Sequence, residues 1–231
     1  MIHRISLTLL ALTTLSFAQA PKPAARKPSP ALAPIEDVAG LPRVLIIGDS
    51  ISIGYTLPTR ELLKGVANVH RIPTNGSSSD AGLKNLDAWL ATGGAGKKWD
   101  AIHFNWGLHD LKHLKDGKLD LTGPQVNAID AYAKNLSAIV AKLKTTGAKL
   151  IWATTTPVPA GSDGRVPGDE VKYNAAAAGV MKAEGVAIDD LHAVVVAKPD
   201  TQREKNVHFT DEGSKALAGQ VAAEIRKALG K

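Results

Sequence analysis

Short runs dominated by apolar residues recur along the chain at RVLII (43–47), ANVHRI (67–72), AIHFNW (101–106), KLIWATTT (149–156) and GVAIDDL (185–191). Their length and lack of strict alternation are those of strands covered on both faces. Between them apolar positions return with helical spacing, in AGLKNLDAWLA (81–91), PQVNAIDAYAKNLSAIVAKLKTT (124–146), GDEVKYNAAAAGVMKAE (168–184) and TDEGSKALAGQVAAEIRKAL (210–229). Gly147 and Gly185 follow two of these segments as left-handed caps, and Thr210 precedes the last as an N-cap, with Asp211 and Glu212 in its first turn. No internal repeat points to a solenoid. Strands joined by helices need crossover connections, which lay down a parallel sheet with helices on both faces. The pattern therefore predicts an α/β protein, a three-layer α/β/α doubly wound domain around a five-stranded parallel sheet.

In such a sheet the ligand crevice lies beyond the carboxyl ends of the strands. Four polar segments occupy those places: GDS (48–50), TNGSSS (74–79), GLHD (107–110) and, just ahead of the last helix, VHFTDEG (207–213). The fold brings them to one edge although they are far apart in the chain. Ser50 is conspicuous among them, a hydroxyl in a small turn directly after a fully apolar run.

The amino-terminal part reads differently. Residues 1–20 carry Arg4, an apolar stretch from Ile5 to Phe17 and then small residues, the layout of a secretory signal and too short to span a bilayer. Cleavage is expected after Ala18, giving a signal peptide over 1–18. A Pro/Ala-rich linker over 19–40 and a single folded domain over 41–231 follow. A secreted or periplasmic location is the expectation, with no stable membrane insertion once the signal is removed. The chain has no cysteine, so disulfides and thioether-linked lipids play no part. Its +6 formal charge is scattered, and its ten Phe, Tyr and Trp residues are not interleaved with basic ones, which argues against a nucleic-acid partner. The oligomeric state stays open.

The four segments resemble the sequence blocks of the SGNH (GDSL-type) hydrolases, from about Arg43 to the C-terminus. Gly48, Asp49 and Ser50 match the first block, and Gly76 beside Asn75 the second. Gly107, Leu108, His109 and Asp110 match a third block that ordinarily reads Gly-x-Asn-Asp, so a histidine replaces its asparagine. His208 matches the last, Asp-x-x-His, with Lys205 where the aspartate is expected. The resemblance implies a flavodoxin-like SGNH hydrolase fold and a serine esterase that needs no cofactor and no metal. By the same resemblance Ser50 is the nucleophile and His208 its base. The oxyanion hole would comprise the N–H groups of Ser50 and Gly76 and a ring N–H of His109. Asn75, Trp106 and Asp110 are placed as substrate-binding neighbours. Because the Lys205 ammonium cannot orient an imidazole, Glu204 is ranked first as the residue that does so. Asp211 and a backbone carbonyl are the alternatives.

Two other readings compete. In HDLKH (109–113) the histidines stand at i and i+4, a spacing that on a helix presents two zinc ligands, although Asp110 is a methylene shorter than the glutamate such motifs carry. The departures from the family blocks also fit a carbohydrate-binding protein that has kept the fold without turnover. For an active enzyme, the polar segment TTPVPAGSDGRVPGDE (155–170) suits a hydroxyl-rich substrate better than a fatty chain. The expected partner is a small-molecule or glycan ester, with acetyl groups on carbohydrate as the leading case and a lysophospholipase or thioesterase activity as the alternative.

Overall fold

The computed structural model describes residues 29–94 and 96–231. Five strands form one parallel sheet, in the spatial order Asn68–Arg71, Arg43–Ile47, Ala101–Phe104, Lys149–Ala153 and Ala187–Asp189. They are β1 (Arg43–Ile47), β2 (Asn68–Arg71), β3 (Ala101–Phe104), β6 (Lys149–Ala153) and β7 (Ala187–Asp189). β1 and β3 are buried at every position, which is why neither alternates in sequence. The helices are α1 (Ser50–Leu62), α2 (Ser79–Leu90), α3 (Ile129–Lys144), α4 (Asp169–Glu184), α5 (Leu191–Val196) and α6 (Asp211–Leu229). α1 packs on α6 and α6 on α5, while α2 packs on α3 and α3 on α4, giving a layer on each side of the sheet. The expected three-layer fold is the one observed.

The order of the strands fixes where a site can form. From β1 the chain crosses to β2 on one side, and from β3 to β6 on the other, so the loops leaving β1 and β3 part and open a crevice between them. Those loops carry Ser50 and His109.

Three features escape the hydrophobic pattern. β4 (Leu114–Lys115) and β5 (Lys118–Leu119) form a small antiparallel hairpin too short to leave a periodic signal. The strand expected over 185–191 gives way early to α5, because Asp190 accepts a hydrogen bond from Ala193 N (3.1 Å) and caps a new helix. The third is the segment ahead of β1. The proline-rich composition places residues up to 40 in a spacer, yet from Ser29 onward the chain is packed on the domain. Ala31 is buried, Val38 N donates to Asn68 Oδ1 (2.8 Å), and Asp37 receives Arg43 Nε (3.0 Å) and Lys97 Nζ (2.7 Å) and meets His70 Nε2 at 2.6 Å. These partners, Lys97 foremost, hold the Asp37 carboxyl well below the usual carboxylate range against the opposing effect of burial. The rest of the expected linker and the whole expected signal lie outside the described residues.

Candidate active site

The turn that follows β1 is built to hold Ser50 in one place. Asp49 is buried and caps α1, its Oδ1 accepting Ile51 N at 2.9 Å. Ser50 is the first residue of that helix, so its N–H has no carbonyl partner within it. The buried guanidinium of Arg71, at the end of β2, ties the turn to its neighbour. Nη2 donates to Gly48 O (2.8 Å), Asp49 O (3.0 Å) and Ser52 Oγ (2.8 Å), and Nη1 to Ile72 O and Thr74 O (both 2.7 Å). A planar fork with five donors suits this task in a way an ammonium does not. Arg71 carries no motif, and the only hint in the sequence is a charge inside a strand otherwise made for burial.

His208 Nε2 lies 2.8 Å from Ser50 Oγ, across 158 residues of chain. The segment that delivers it is a tight antiparallel loop. Gln202 pairs with Phe209, Arg203 N donates to His208 O (2.9 Å), and Asn206 N closes a turn on Arg203 O (3.3 Å). Glu204 and Lys205 are the corner residues of that turn, Lys205 with a left-handed φ of 53°. This geometry removes Glu204 from the role expected of it. Its side chain is 88% exposed, sits 3.8 Å from the Lys205 ammonium, and makes no hydrogen bond to His208 among the described residues. Asp211, the second choice, makes no hydrogen bond to His208 among the described residues.

Asn206 takes that place instead. Its Oδ1 lies 2.7 Å from His208 Nδ1 and accepts the His208 backbone N–H at 2.9 Å. The second contact decides the first: a backbone N–H only donates, so the amide atom facing it is the oxygen, and the Nδ1 facing the same oxygen carries the proton. Nε2 is then left with its lone pair toward Ser50 Oγ, the tautomer a general base requires. Sequence reasoning missed Asn206 because it sits two residues before the histidine, where the family spacing directs attention to the third.

Several other expected positions are displaced. The Gly76 N–H donates to Gly48 O (2.9 Å), and a Cβ at Gly76 would lie 2.8 Å from that oxygen. This glycine thus serves the close approach of two loops and has no N–H left for an oxyanion. Ser77 N is taken by Asn75 Oδ1 (2.8 Å) and Ser79 N by Asp110 Oδ1 (2.9 Å). On the buried end of this loop, only the Ser78 N–H has no protein partner among the described residues. Asn75 spends its Oδ1 on that turn. Trp106 is 1% exposed, stacks on Trp89, and donates from its indole to Gly76 O (3.2 Å), making it a core residue and not a cleft lining. Asp110 is likewise fully buried, its Oδ1 holding Ser79 N, Ser79 Oγ (2.6 Å) and Asn127 Nδ2 (2.8 Å) at the start of α2. Burial pushes its carboxyl up to about 6 despite these bonds. It is a structural residue out of reach of a substrate.

His109 is half-buried within a single helical turn, in which Asp110 N and Leu111 N both bond Gly107 O (2.9 Å). The turn ends there and the chain runs on into the β4–β5 hairpin, with His113 Nδ1 bonded to Gly123 O (2.8 Å). The two histidines therefore do not share a helix face, and the zinc reading of their spacing loses its premise.

The surroundings of both imidazoles favour their neutral form. The pKa of His208 lies below its ordinary 6.5 through partial burial of the ring, with Arg203 and Arg165 adding to the fall and Asp49 opposing it. That of His109 falls mainly through burial, aided by Lys112, Arg165 and His208, again against Asp49. A base must be unprotonated to act, so activity rises with pH through the His208 titration and is full above it. The acid limb of kcat/KM is expected to have its midpoint below 6.5; a midpoint above that value would contradict this electrostatic picture.

Beside Ser50 and His208 opens a groove of about 410 Å³ between α1 and the start of α6, whose lining includes Ile53, Leu57, Pro58, Arg203, Phe209 and Lys215. The polar segment 155–170 does not line it. That segment reaches the site from the other side through Arg165, whose Nε donates to Leu108 O (2.9 Å).

A hydroxyl and a neutral imidazole in contact at the carboxyl edge of a doubly wound sheet are the working parts of an α/β serine hydrolase. Residues 46–216 match the GDSL-like Lipase/Acylhydrolase family, and the chain belongs to that family of ester-hydrolysing serine hydrolases. Similar solved structures share its fold at low identity. An acetyl xylan esterase, AlAXEase, is 16% identical with a TM-score of 0.64 over 79% of this chain and 99% of its own. A lipase/acylhydrolase from Enterococcus faecalis is 18% identical with a TM-score of 0.65 over 81% and 96%. The acetylxylan esterase Axe2 from Geobacillus stearothermophilus is 17% identical with a TM-score of 0.63 over 82% and 94%. A comparison with curated proteins finds no match.

Proposed function

We propose that this esterase removes short acyl groups, acetyl foremost, from esterified carbohydrate, with Ser50 as nucleophile and His208 as general base. The contact of 2.8 Å between Ser50 Oγ and His208 Nε2 carries the reading. Ser50 Oγ attacks the ester carbonyl as its proton passes to Nε2, and the imidazolium then returns that proton to the departing sugar hydroxyl. Water, deprotonated by the same nitrogen, attacks the acyl-serine, and the proton goes back to Ser50 as the carboxylic acid leaves. The charge on the carbonyl oxygen meets the free N–H of Ser50 and the ring N–H of His109, with the Ser78 N–H as the loop amide in place of Gly76. Asn206 fixes the tautomer but has no charge to balance the imidazolium. Asp49 is the carboxylate that favours the protonated form of His208.

Support for acetyl and carbohydrate comes from three directions. Structures of the same fold include acetylxylan esterases and a carbohydrate esterase of family 3 from Talaromyces cellulolyticus. The groove also sets apolar surfaces such as Leu57 and Phe209 beside hydrogen-bonding groups such as Arg203 and Ser214, a pairing suited to the faces and edges of a sugar ring. The signal-like residues 1–18 favour an acceptor outside the cytoplasm. The test is a set of initial rates on p-nitrophenyl acetate, butyrate and decanoate together with acetate release from acetylated xylan. The highest kcat/KM on the acetate ester, with acetate released from the polymer, is expected. A decanoate rate well above the acetate rate would overturn the proposal in favour of a lipolytic enzyme.

A further inference from the structure

The histidine that replaces the asparagine of the third block has a neighbour that governs how it can act. We infer that Lys112 is a positioning residue for catalysis, holding His109 as the Nε2–H tautomer so that the ring presents a donor, never a lone pair, to the reacting carbonyl oxygen. The inference rests on the reading of His109 as an oxyanion donor.

Lys112 Nζ lies 3.3 Å from His109 Nδ1. An ammonium has protons and no lone pair, so the ring atom facing it accepts and bears no hydrogen. The single proton of a neutral imidazole is then on Nε2, which makes no hydrogen bond to the protein among the described residues. Asparagine offers an N–H in any protonation state, whereas a histidine in the same place offers one only in the right tautomer, so the substitution brings a requirement that asparagine lacks. The chain meets it locally. His109 and Lys112 are three residues apart in a turn closed by Gly107 O, and the Lys112 carbonyl is fixed by Val126 N (3.0 Å). On the other side the Leu108 carbonyl is fixed by Arg165 Nε (2.9 Å). Two cations thus stand near the ring, and both disfavour its protonated form. Besides setting the tautomer, the ammonium polarises the ring so that Nε2–H is a stronger donor as negative charge develops.

Two measurements on the whole protein test this. Nitrogen-15 chemical shifts of His109 at pH 8 should show Nδ1 unprotonated and Nε2 protonated in the wild type, with Lys112→Met giving a mixture and Lys112→Arg preserving the wild-type pattern. A protonated Nδ1 in the wild type would overturn the assignment. The second is a kinetic cycle on p-nitrophenyl acetate. Since one oxyanion donor is worth about 10²–10³ in rate, Lys112→Met, which weakens that donor without deleting it, should lower kcat by about tenfold with little change in KM. In a His109→Asn background, where no tautomer has to be chosen, the same Lys112→Met change should cost less than about twofold. Equal losses in both backgrounds would mean that Lys112 acts on the fold or on substrate and not through the ring. His109→Ala separates the two claims: unchanged kcat there would overturn the oxyanion role itself, whatever the chemical shifts report of Lys112.

Discussion

Asn206→Ala is expected to lower kcat by about 10²–10³ with KM little changed, while Glu204→Ala leaves both within about twofold. The sequence spacing suggests the reverse, since Glu204 is the neighbour of Lys205, which holds the place of the family's orienting aspartate. The turn reverses it: Glu204 stands at an exposed corner, and Asn206 Oδ1 meets His208 Nδ1 at 2.7 Å. Without Asn206 the imidazole loses the acceptor that fixes its tautomer and can rotate away from Ser50. Asn206→Asp keeps an acceptor in place and adds the missing charge. It should retain activity at neutral pH and move the acid limb of kcat/KM upward, because a carboxylate favours the protonated ring. Steady-state kinetics across pH on the three variants checks all of this. A tenfold loss in Glu204→Ala, or none in Asn206→Ala, would refute the assignment.

Larger still are the effects expected at the two atoms in contact. Ser50→Ala and His208→Ala should each lower kcat by about 10⁴–10⁶, and the double variant should be no slower than the worse of the two, because they act as one unit. The remaining rate belongs to the oxyanion donors, which neither change removes. Circular dichroism should show both variants folded, since the Ser50 hydroxyl lies at the start of a helix capped by Asp49 and the His208 ring is open to solvent on one side. Multiplicative losses would indicate that the two side chains work independently, contrary to the shared proton.

Most of the fold was legible because burial on both sheet faces leaves unbroken apolar runs and the helices carry their own punctuation. Ser50 and His208 were legible for a related reason: both sit where a strand or a helix cap begins or ends, so the topology alone assigns them to one edge. What the sequence hid depended on single bonds. Whether the Gly76 amide is free or spent on Gly48 O turns on one contact of 2.9 Å. Asp110 and Trp106 belong to the right motif but face inward, and no periodicity distinguishes the two sides of a loop. Arg71 and Asn206 act through fork geometry and a reverse turn, neither of which has a one-dimensional signature. The segment from Ser29 to Gly40 has a spacer's composition, and the burial of Ala31, the Val38–Asn68 bond and the pairing of Asp37 with Arg43, His70 and Lys97 show it to be fastened down.

The covalent intermediate is the most direct point of attack on this account. Incubating the protein with a p-nitrophenyl phosphonate and mapping the adduct by peptide mass spectrometry should show a single phosphonylated residue, Ser50, appearing in step with loss of esterase activity and abolished by His208→Ala. Full esterase activity after exposure to the reagent, or inactivation with the adduct on another residue, would contradict it.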